Sequence, residues 1–159
     1  MTPETILETL TDHGVEFVLV GGLAATVHGS SLATFDIDVC FRQEPDNCRR
    51  LAGALDALEA QIYPIRSESI PISPELLLEH RLVHLKSPAG RLDLIVSVPG
   101  LGTYDEIAPE TDRVDLFGRG IKVLSPDQLI VSKKALDQPK DPEQLDQLLA
   151  LRDLESRGD

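Results

Sequence analysis

Apolar residues recur with the helical period in some segments of the chain and alternate with polar residues in others. Segments of the first kind carry one apolar stripe and predict helices that begin near residues 2, 23, 46, 125 and 142, the last of them at 142–155. Alternating or β-branched segments predict strands at 15–20, 36–41, 62–66, 82–86, 91–96, 114–117 and 121–124. Turn-forming residues within the last two pairs of strands predict two β-hairpins.

This order of elements predicts an α/β (α+β) fold built on one short mixed β-sheet. We expect acidic residues on the open face of the sheet, helices packed on its other face, and two C-terminal helices. A length of 159 residues fits one domain whose core is large enough to fold without disulfides. We therefore expect a single domain over 1–159, with the sheet-containing core at 1–124 and a helical segment at 125–159.

Charge and composition narrow the classes of function. A formal charge of −12 and a pI near 4.6 argue against broad nucleic-acid binding, which relies on a basic surface, although one local RNA contact stays open. No apolar run is long enough to cross a bilayer, and residues 1–5 lack the features of a secretory signal. We expect a soluble, cytoplasmic protein without membrane contact.

Three acidic residues on two predicted strands are candidates for a metal site. Asp36 and Asp38 are two apart on one strand, so both side chains project from the same face. At a separation of about 4 Å, two such charges repel by about 4 kcal/mol for an effective dielectric near 20. A divalent cation between the two carboxylates turns this repulsion into net attraction, and carboxylate oxygens are the ligands that Mg²⁺ prefers. Asp93 interrupts an otherwise apolar strand at 91–96 and is the natural third ligand.

Each of these acids also has a plainer interpretation. Asp36 and Asp38 can line a solvated strand face, and Asp93 can form an ion pair with Arg91 or another base.

A diglycine turn precedes the acids. Gly21 and Gly22 lie between a predicted buried strand and a predicted helix, where backbone N–H groups and the helix dipole favour a phosphate. A Gly-Gly pair after a strand is more often a tight turn, and no P-loop lysine follows it.

The spacing between the turn and the acids carries a resemblance. The run Val20-Gly21-Gly22, thirteen intervening residues, and Asp36-Ile37-Asp38-Val39 resembles the signature of minimal nucleotidyltransferases of the DNA polymerase β superfamily. This resemblance implies the nucleotidyltransferase fold and transfer of a nucleoside monophosphate from a nucleoside triphosphate to a hydroxyl. It also implies two-metal chemistry with Mg²⁺ or Mn²⁺ held by Asp36, Asp38 and Asp93, and Asp93 as the base.

The same resemblance implies residues that contact the nucleotide. These are Gly21, Gly22, Ser30, Ser31, Thr34 and Lys133. For Lys133 and its neighbour Lys134, a solvated position on an amphipathic helix is an equal alternative, and Thr34 can be an ordinary strand-entry residue.

The acceptor stays open at this stage. Residues 132–141 are similar to the C-terminal helices of nucleotidyltransferase-like proteins related to abortive-infection toxins, which favours a toxin with an antitoxin partner. The acceptor class is a protein, tRNA or small molecule. The alternative is a non-catalytic nucleotide-binding or partner-binding module that kept the fold, because Leu32 and Gln138 stand where such relatives carry arginines.

Cysteines and histidines give weaker signals. We expect Cys40 and Cys48 to be reduced packing residues, because neither has disulfide-framework or metal-ligand spacing and no base activates Cys40. A predicted change from helix to strand separates His80 from His84, so we expect surface or packing roles for both. His28 is expected to end a helix.

Overall fold

The structure, a computed structural model, describes residues 3–29, 36–64, 70–136 and 148–152. Its α-helices are α1 Pro3–Asp12, α2 Gly21–Val27, α3 Pro45–Ala57, α4 Pro74–Glu79, α5 Tyr104–Ile107 and α6 Pro126–Leu136, and residues 148–152 are also helical. Its strands are β1 Phe17–Val20, β2 Asp36–Phe41, β3 Gln61–Ile62, β4 Leu82–Ser87, β5 Gly90–Ile95, β6 Ser97–Val98, β7 Gly102–Thr103, β8 Asp112–Leu116 and β9 Arg119–Val123. A 3₁₀ turn covers Ala108–Glu110.

Seven of these strands form one mixed sheet in the order β3-β4-β5-β2-β1-β9-β8. Strand β2 pairs with β5 in parallel and with β1 antiparallel, and β1 pairs with β9 in parallel. The two predicted hairpins are β4–β5 and β8–β9. The predicted fold class is therefore confirmed.

The core forms where apolar stripes meet the sheet. Ile6, Leu7 and Leu10 of α1 are buried, as the helical period predicts. All four residues of β1 are buried as well. Because successive side chains of a strand point to opposite faces, this strand is covered on both sides.

Several predicted elements differ from the observed ones. Helix α2 begins at Gly21 rather than residue 23, so both glycines lie in its first turn. The small β6–β7 sheet and α5 were not predicted, since two-residue strands carry no measurable period. The strand predicted at 62–66 is described only in part, as β3, which starts one residue earlier. Of the helix predicted at 142–155, the structure describes residues 148–152, and these are helical. The division at residue 124 stays a prediction.

None of the described helices combines the length and the apolar character needed to span a membrane.

A single buried amide connects α3 to the ends of β1 and β2. Asn47 is fully buried, and its Oδ1 accepts from the backbone N–H of Glu16 at 2.7 Å. Its Nδ2 donates to the carbonyls of Glu16 at 3.0 Å and Arg42 at 2.8 Å. The backbone N–H of Arg42 also donates to the Glu16 carbonyl, at 3.1 Å. Asn47 therefore stabilises the contact between the residue before β1 and the residue after β2.

We predict that Asn47→Ala lowers the free energy of unfolding by about 3 kcal/mol, because three hydrogen bonds are lost and buried backbone groups stay unsatisfied. Asn47→Asp retains the acceptor but not the donors and should also destabilise. Asp56→Ala, at an exposed position of the same helix, is the control and should change the value by about 0.5 kcal/mol or less. Denaturant unfolding measures all three. A loss below about 1 kcal/mol for Asn47→Ala would contradict the role of this amide.

Candidate active site

Strand register brings the three predicted acids together. Asp38 of β2 lies opposite Val20 of β1 on one side and opposite Asp93 of β5 on the other. Paired residues of neighbouring strands point to the same face, about 4.8 Å apart. Asp36 shares that face two residues earlier on β2. We call Asp36, Asp38 and Asp93 the carboxylate cluster.

The first residue of α2 abuts this cluster. Gly21 has φ +69°, in the left-handed region that favours glycine. A Cβ at this position would lie 3.1 Å from Cγ of Asp38 and would overlap its Oδ2 atom. Glycine is therefore required at residue 21 both for the backbone turn and for the close approach of the Asp38 carboxylate.

The cluster concentrates negative charge at Asp38. The pKa of Asp38 is raised to about 6, first by burial and then by the charge of Asp93, a hydrogen bond between the two carboxyl groups, and the charge of Asp36. The ammonium group of Lys133 on α6 acts in the opposite direction and lowers the pKa of Asp38. Of the predicted nucleotide-contact residues, Lys133 is thus near enough to act on the cluster.

Basic side chains contact the two outer acids. His84 Nδ1 donates to Asp93 Oδ1 at 2.8 Å. Arg91 Nε lies 3.9 Å from Asp36 Oδ1, and the Arg91 guanidinium also lies 4.6 Å from the centre of the Tyr63 ring. The plainer interpretation of Asp93 was contact with Arg91 or another base. The base is His84, whereas Arg91 pairs with its register partner Asp36.

These contacts bear on metal binding. Within the described ranges, no three His, Cys, Asp or Glu side chains are positioned together to hold a metal ion. Asp38 and Asp93 do come into contact, but the hydrogen bond from His84 occupies one oxygen of Asp93. The assignment of Asp36, Asp38 and Asp93 as metal ligands stays a prediction.

Sequence reasoning missed the contact of His84 with the cluster. This residue is half-exposed, as expected, but its ring bonds to an acid of the candidate site. The signal was present in the predicted hairpin: Ser87 pairs with Gly90, so counting outwards places His84 opposite Asp93. The sequence analysis compared His84 with His80, four residues away along the chain, whereas the residue that His84 contacts is Asp93, across the hairpin.

Two residues near the site have structural roles. His28 is the C-cap residue of α2, as predicted, and its Nε2 donates to the carbonyl of Leu124 at 2.8 Å. Cys40 is buried, and burial raises the pKa of its thiol to about 12. A thiol with that pKa is protonated at neutral pH, which excludes it as a thiolate nucleophile.

The remaining predicted contact residues lie outside the described part of the chain. They are Ser30, Ser31 and Thr34. Leu32 and Gln138, which stand where relatives carry arginines, lie outside it as well.

Comparison with known proteins identifies the fold. No protein-family model matches this chain, and no curated protein is similar to it in sequence. Among solved structures, it is similar to the lincosamide antibiotic adenylyltransferase LnuA, solved with lincomycin bound. The sequence identity is 16% and the TM-score 0.63, over 95% of this chain and 98% of that one.

Two further structures agree. ANT(2")-Ia, solved in complex with adenylyl-2"-tobramycin, matches at 16% identity and a TM-score of 0.55, over 98% of this chain and 95% of that one. An antigenic nucleotidyltransferase-like protein from Paracoccidioides brasiliensis matches at 16% identity and a TM-score of 0.54, over 95% and 74%. The chain therefore has the fold of nucleotidyltransferases, as the sequence resemblance implied.

We predict that Gly21→Ala destabilises the protein more than Gly118→Ala. Both glycines have positive φ, +69° and +77°, but an added Cβ meets nothing within 4 Å at Gly118. Gly118→Ala should lower the free energy of unfolding by about 1–2 kcal/mol, the cost of the left-handed backbone alone. Gly21→Ala should cost about 1–2 kcal/mol more, because its methyl group displaces the Asp38 carboxylate.

Thermal or denaturant unfolding of the two variants gives this difference directly. Equal losses would show that the Asp38 carboxylate does not depend on a glycine at residue 21.

Proposed function

We propose that this protein is a nucleotidyltransferase that moves a nucleoside monophosphate from a nucleoside triphosphate to a hydroxyl acceptor. The observation that carries the proposal is the carboxylate cluster, in which Asp38 contacts Asp93 and touches the turn at Gly21. The nucleotidyltransferase fold supports it.

The chemistry of the donors suits a divalent cation. Three carboxylates from adjacent strands share one face, and oxygen ligands of this kind suit Mg²⁺ or Mn²⁺. Their mutual repulsion also favours a cation, since Asp38 is half-buried between two like charges. When bound, such a cation neutralises the phosphate charges and orients the triphosphate.

In the proposed reaction, the acceptor oxygen attacks the α-phosphorus of the triphosphate. A new P–O bond forms as the bond to the leaving pyrophosphate breaks, and the hydroxyl proton passes to an oxygen of Asp93. His84 holds the Asp93 carboxylate in place through its other oxygen. Lys133 approaches the same face from α6 and would contact the phosphates.

The diglycine turn completes the proposed nucleotide site. Gly21 and Gly22 lie in the first turn of α2 beside Asp38, so a triphosphate held by the cluster would pass close to their backbone. Ser30, Ser31 and Thr34 are proposed as further contacts because they stand between the turn and the acids in sequence.

A small molecule is the acceptor class to test first. LnuA is an adenylyltransferase of lincosamide antibiotics, and ANT(2")-Ia was solved with an adenylylated tobramycin. Protein and tRNA acceptors, with a toxin role and an antitoxin partner, are the other outcomes of the same assay. Nucleotide binding without transfer to any acceptor would favour the non-catalytic module.

We predict that Asp38→Asn lowers nucleotidyl transfer by about a thousandfold or more, because a cation ligand is lost. The assay incubates the protein with α-labelled nucleoside triphosphate, Mg²⁺ or Mn²⁺, and antibiotic, tRNA or lysate acceptors. Without cation, the variant should be at least as stable as the parent, since one repelling charge is removed. Asp56→Asn, an exposed acid of α3, is the matched control and should retain full transfer. Full transfer by Asp38→Asn would overturn the proposal.

We predict that His84→Ala lowers transfer by about tenfold and raises the Mg²⁺ concentration needed for half-maximal rate, because a partner that orients a metal ligand is lost. His84→Asn should recover part of the rate, since an amide N–H can replace Nδ1 as donor to Asp93. His80→Ala is the control, because the ring of His80, the residue that follows α4, bonds to the carbonyl of Leu76 in that helix. Equal Mg²⁺ dependence of the two alanine variants would rule out an orienting role for His84.

A further inference from the structure

We infer that the protein has a second site, which binds a phosphate group in a cavity separate from the carboxylate cluster. The cavity has a volume of about 180 Å³. For scale, an engineered cavity of about 150 Å³ accommodates a benzene molecule. Arg113, Lys122 and Tyr104 supply its hydrogen-bond donors.

This cavity lies at the opposite end of β1 from the candidate active site. The cavity is lined by Phe17, the first residue of β1, and by Ile121, which lies level with Phe17 on β9, whereas Asp38 pairs with Val20, the last residue of β1. Phe17 and Val20 are three residues apart, which corresponds to about 10 Å along a strand. A ligand in this cavity therefore occupies a place distinct from the acids.

Two cations face each other at its wall. Arg113 of β8 and Lys122 of β9 are register partners in an antiparallel pair. Like charges directly opposite each other destabilise a sheet. In the part of the chain that the structure describes, neither forms an ion pair with a carboxylate, although the sequence has 27 acidic residues against 15 basic ones. An anion between the two side chains would turn this repulsion into attraction.

The acid that lines the same cavity is already neutralised. Glu16 lies 3.1 Å from Arg42 and 3.5 Å from Arg50. It therefore leaves the charges of Arg113 and Lys122 available to a ligand.

A glycine makes room for the arginine. The φ of Gly120 lies outside the left-handed region, so its backbone does not require glycine. A Cβ at this residue would lie only 2.8 Å from Cζ of Arg113. The absence of a side chain at residue 120 therefore allows the guanidinium to lie across the strand at the cavity.

A buried phenol adds a third donor. Tyr104 is 7% exposed, and its hydroxyl accepts a hydrogen bond from Lys122 Nζ at 3.0 Å. The hydroxyl hydrogen has no acceptor among the described residues, so it can be donated to a ligand oxygen. An ammonium, a guanidinium and a phenol together match an oxyanion with several acceptor oxygens and up to two charges, which is the chemistry of a phosphate group.

The test is a ¹⁵N NMR titration of the full chain with inorganic phosphate, compared with sodium chloride at equal ionic strength and without divalent cation or nucleotide. We expect saturable shifts at the amides of Arg113, Gly120 and Lys122 with phosphate alone. Arg113→Gln and Lys122→Gln should each weaken binding about tenfold. Arg119→Gln removes one charge from the same hairpin outside the cavity and should leave the affinity unchanged.

Each other outcome overturns the site. It is rejected if the shifts do not saturate, if chloride reproduces them, if they occur only at Gly21 and Gly22, or if the two glutamine variants bind as tightly as the parent. Should a glutamine variant fail to fold, Tyr104→Phe retains the ring and removes only the hydroxyl, and unchanged binding by that variant rejects the site. Because the titration uses no nucleotide or divalent cation, it is independent of the proposed transfer reaction.

Discussion

The repulsion within the carboxylate cluster is the constraint on which the rest of the site depends. The sheet places Asp38 between β1 and β5, where burial and two like charges disfavour its ionised form. No rotation of β2 relieves this, because Ile37 and Val39 on the opposite face are fixed in the core. Such an arrangement costs folding free energy, and this cost is the physical argument for the cation site proposed above.

Basic side chains around the cluster offset part of its negative charge. Arg91 and His84 each contact one outer acid, and Lys133 acts on the middle one from α6. All three bases come from elements other than β2. The site is therefore assembled from β2, β4, β5 and α6, and their packing fixes the separation between the acids and their counter-charges.

Much of this was predictable from sequence, and the misses have physical causes. Strand β2 was predicted with its observed bounds because acidic and apolar residues alternate along it, and the same alternation gave the shared face of Asp36 and Asp38. Gly21 and Gly22 were interpreted as a turn that breaks the strand. The φ of +69° at Gly21 is indeed that of a turn residue, but α2 follows β1 directly and begins at this turn. The contact of His84 with Asp93 depends on pairing across a hairpin, which periodicity along the chain does not contain. The place of Lys133 depends on tertiary packing of α6, so only the family resemblance indicated it.

The hydrogen bonds of Asn47 also help to determine on which face of the sheet Asp36 and Asp38 lie. Because side chains alternate, shifting β2 by one residue against β1 would turn Asp36 and Asp38 into the core and bring Ile37 and Val39 out. Asn47 bonds to Glu16 and Arg42, the residues that flank the first pair of the β1–β2 ladder, so a slip would break these hydrogen bonds and is disfavoured. The hydrogen bonds of one uncharged amide, made at Glu16 and four residues from the level of Asp38, thus favour the ladder in which both acids share the face opposite Ile37 and Val39.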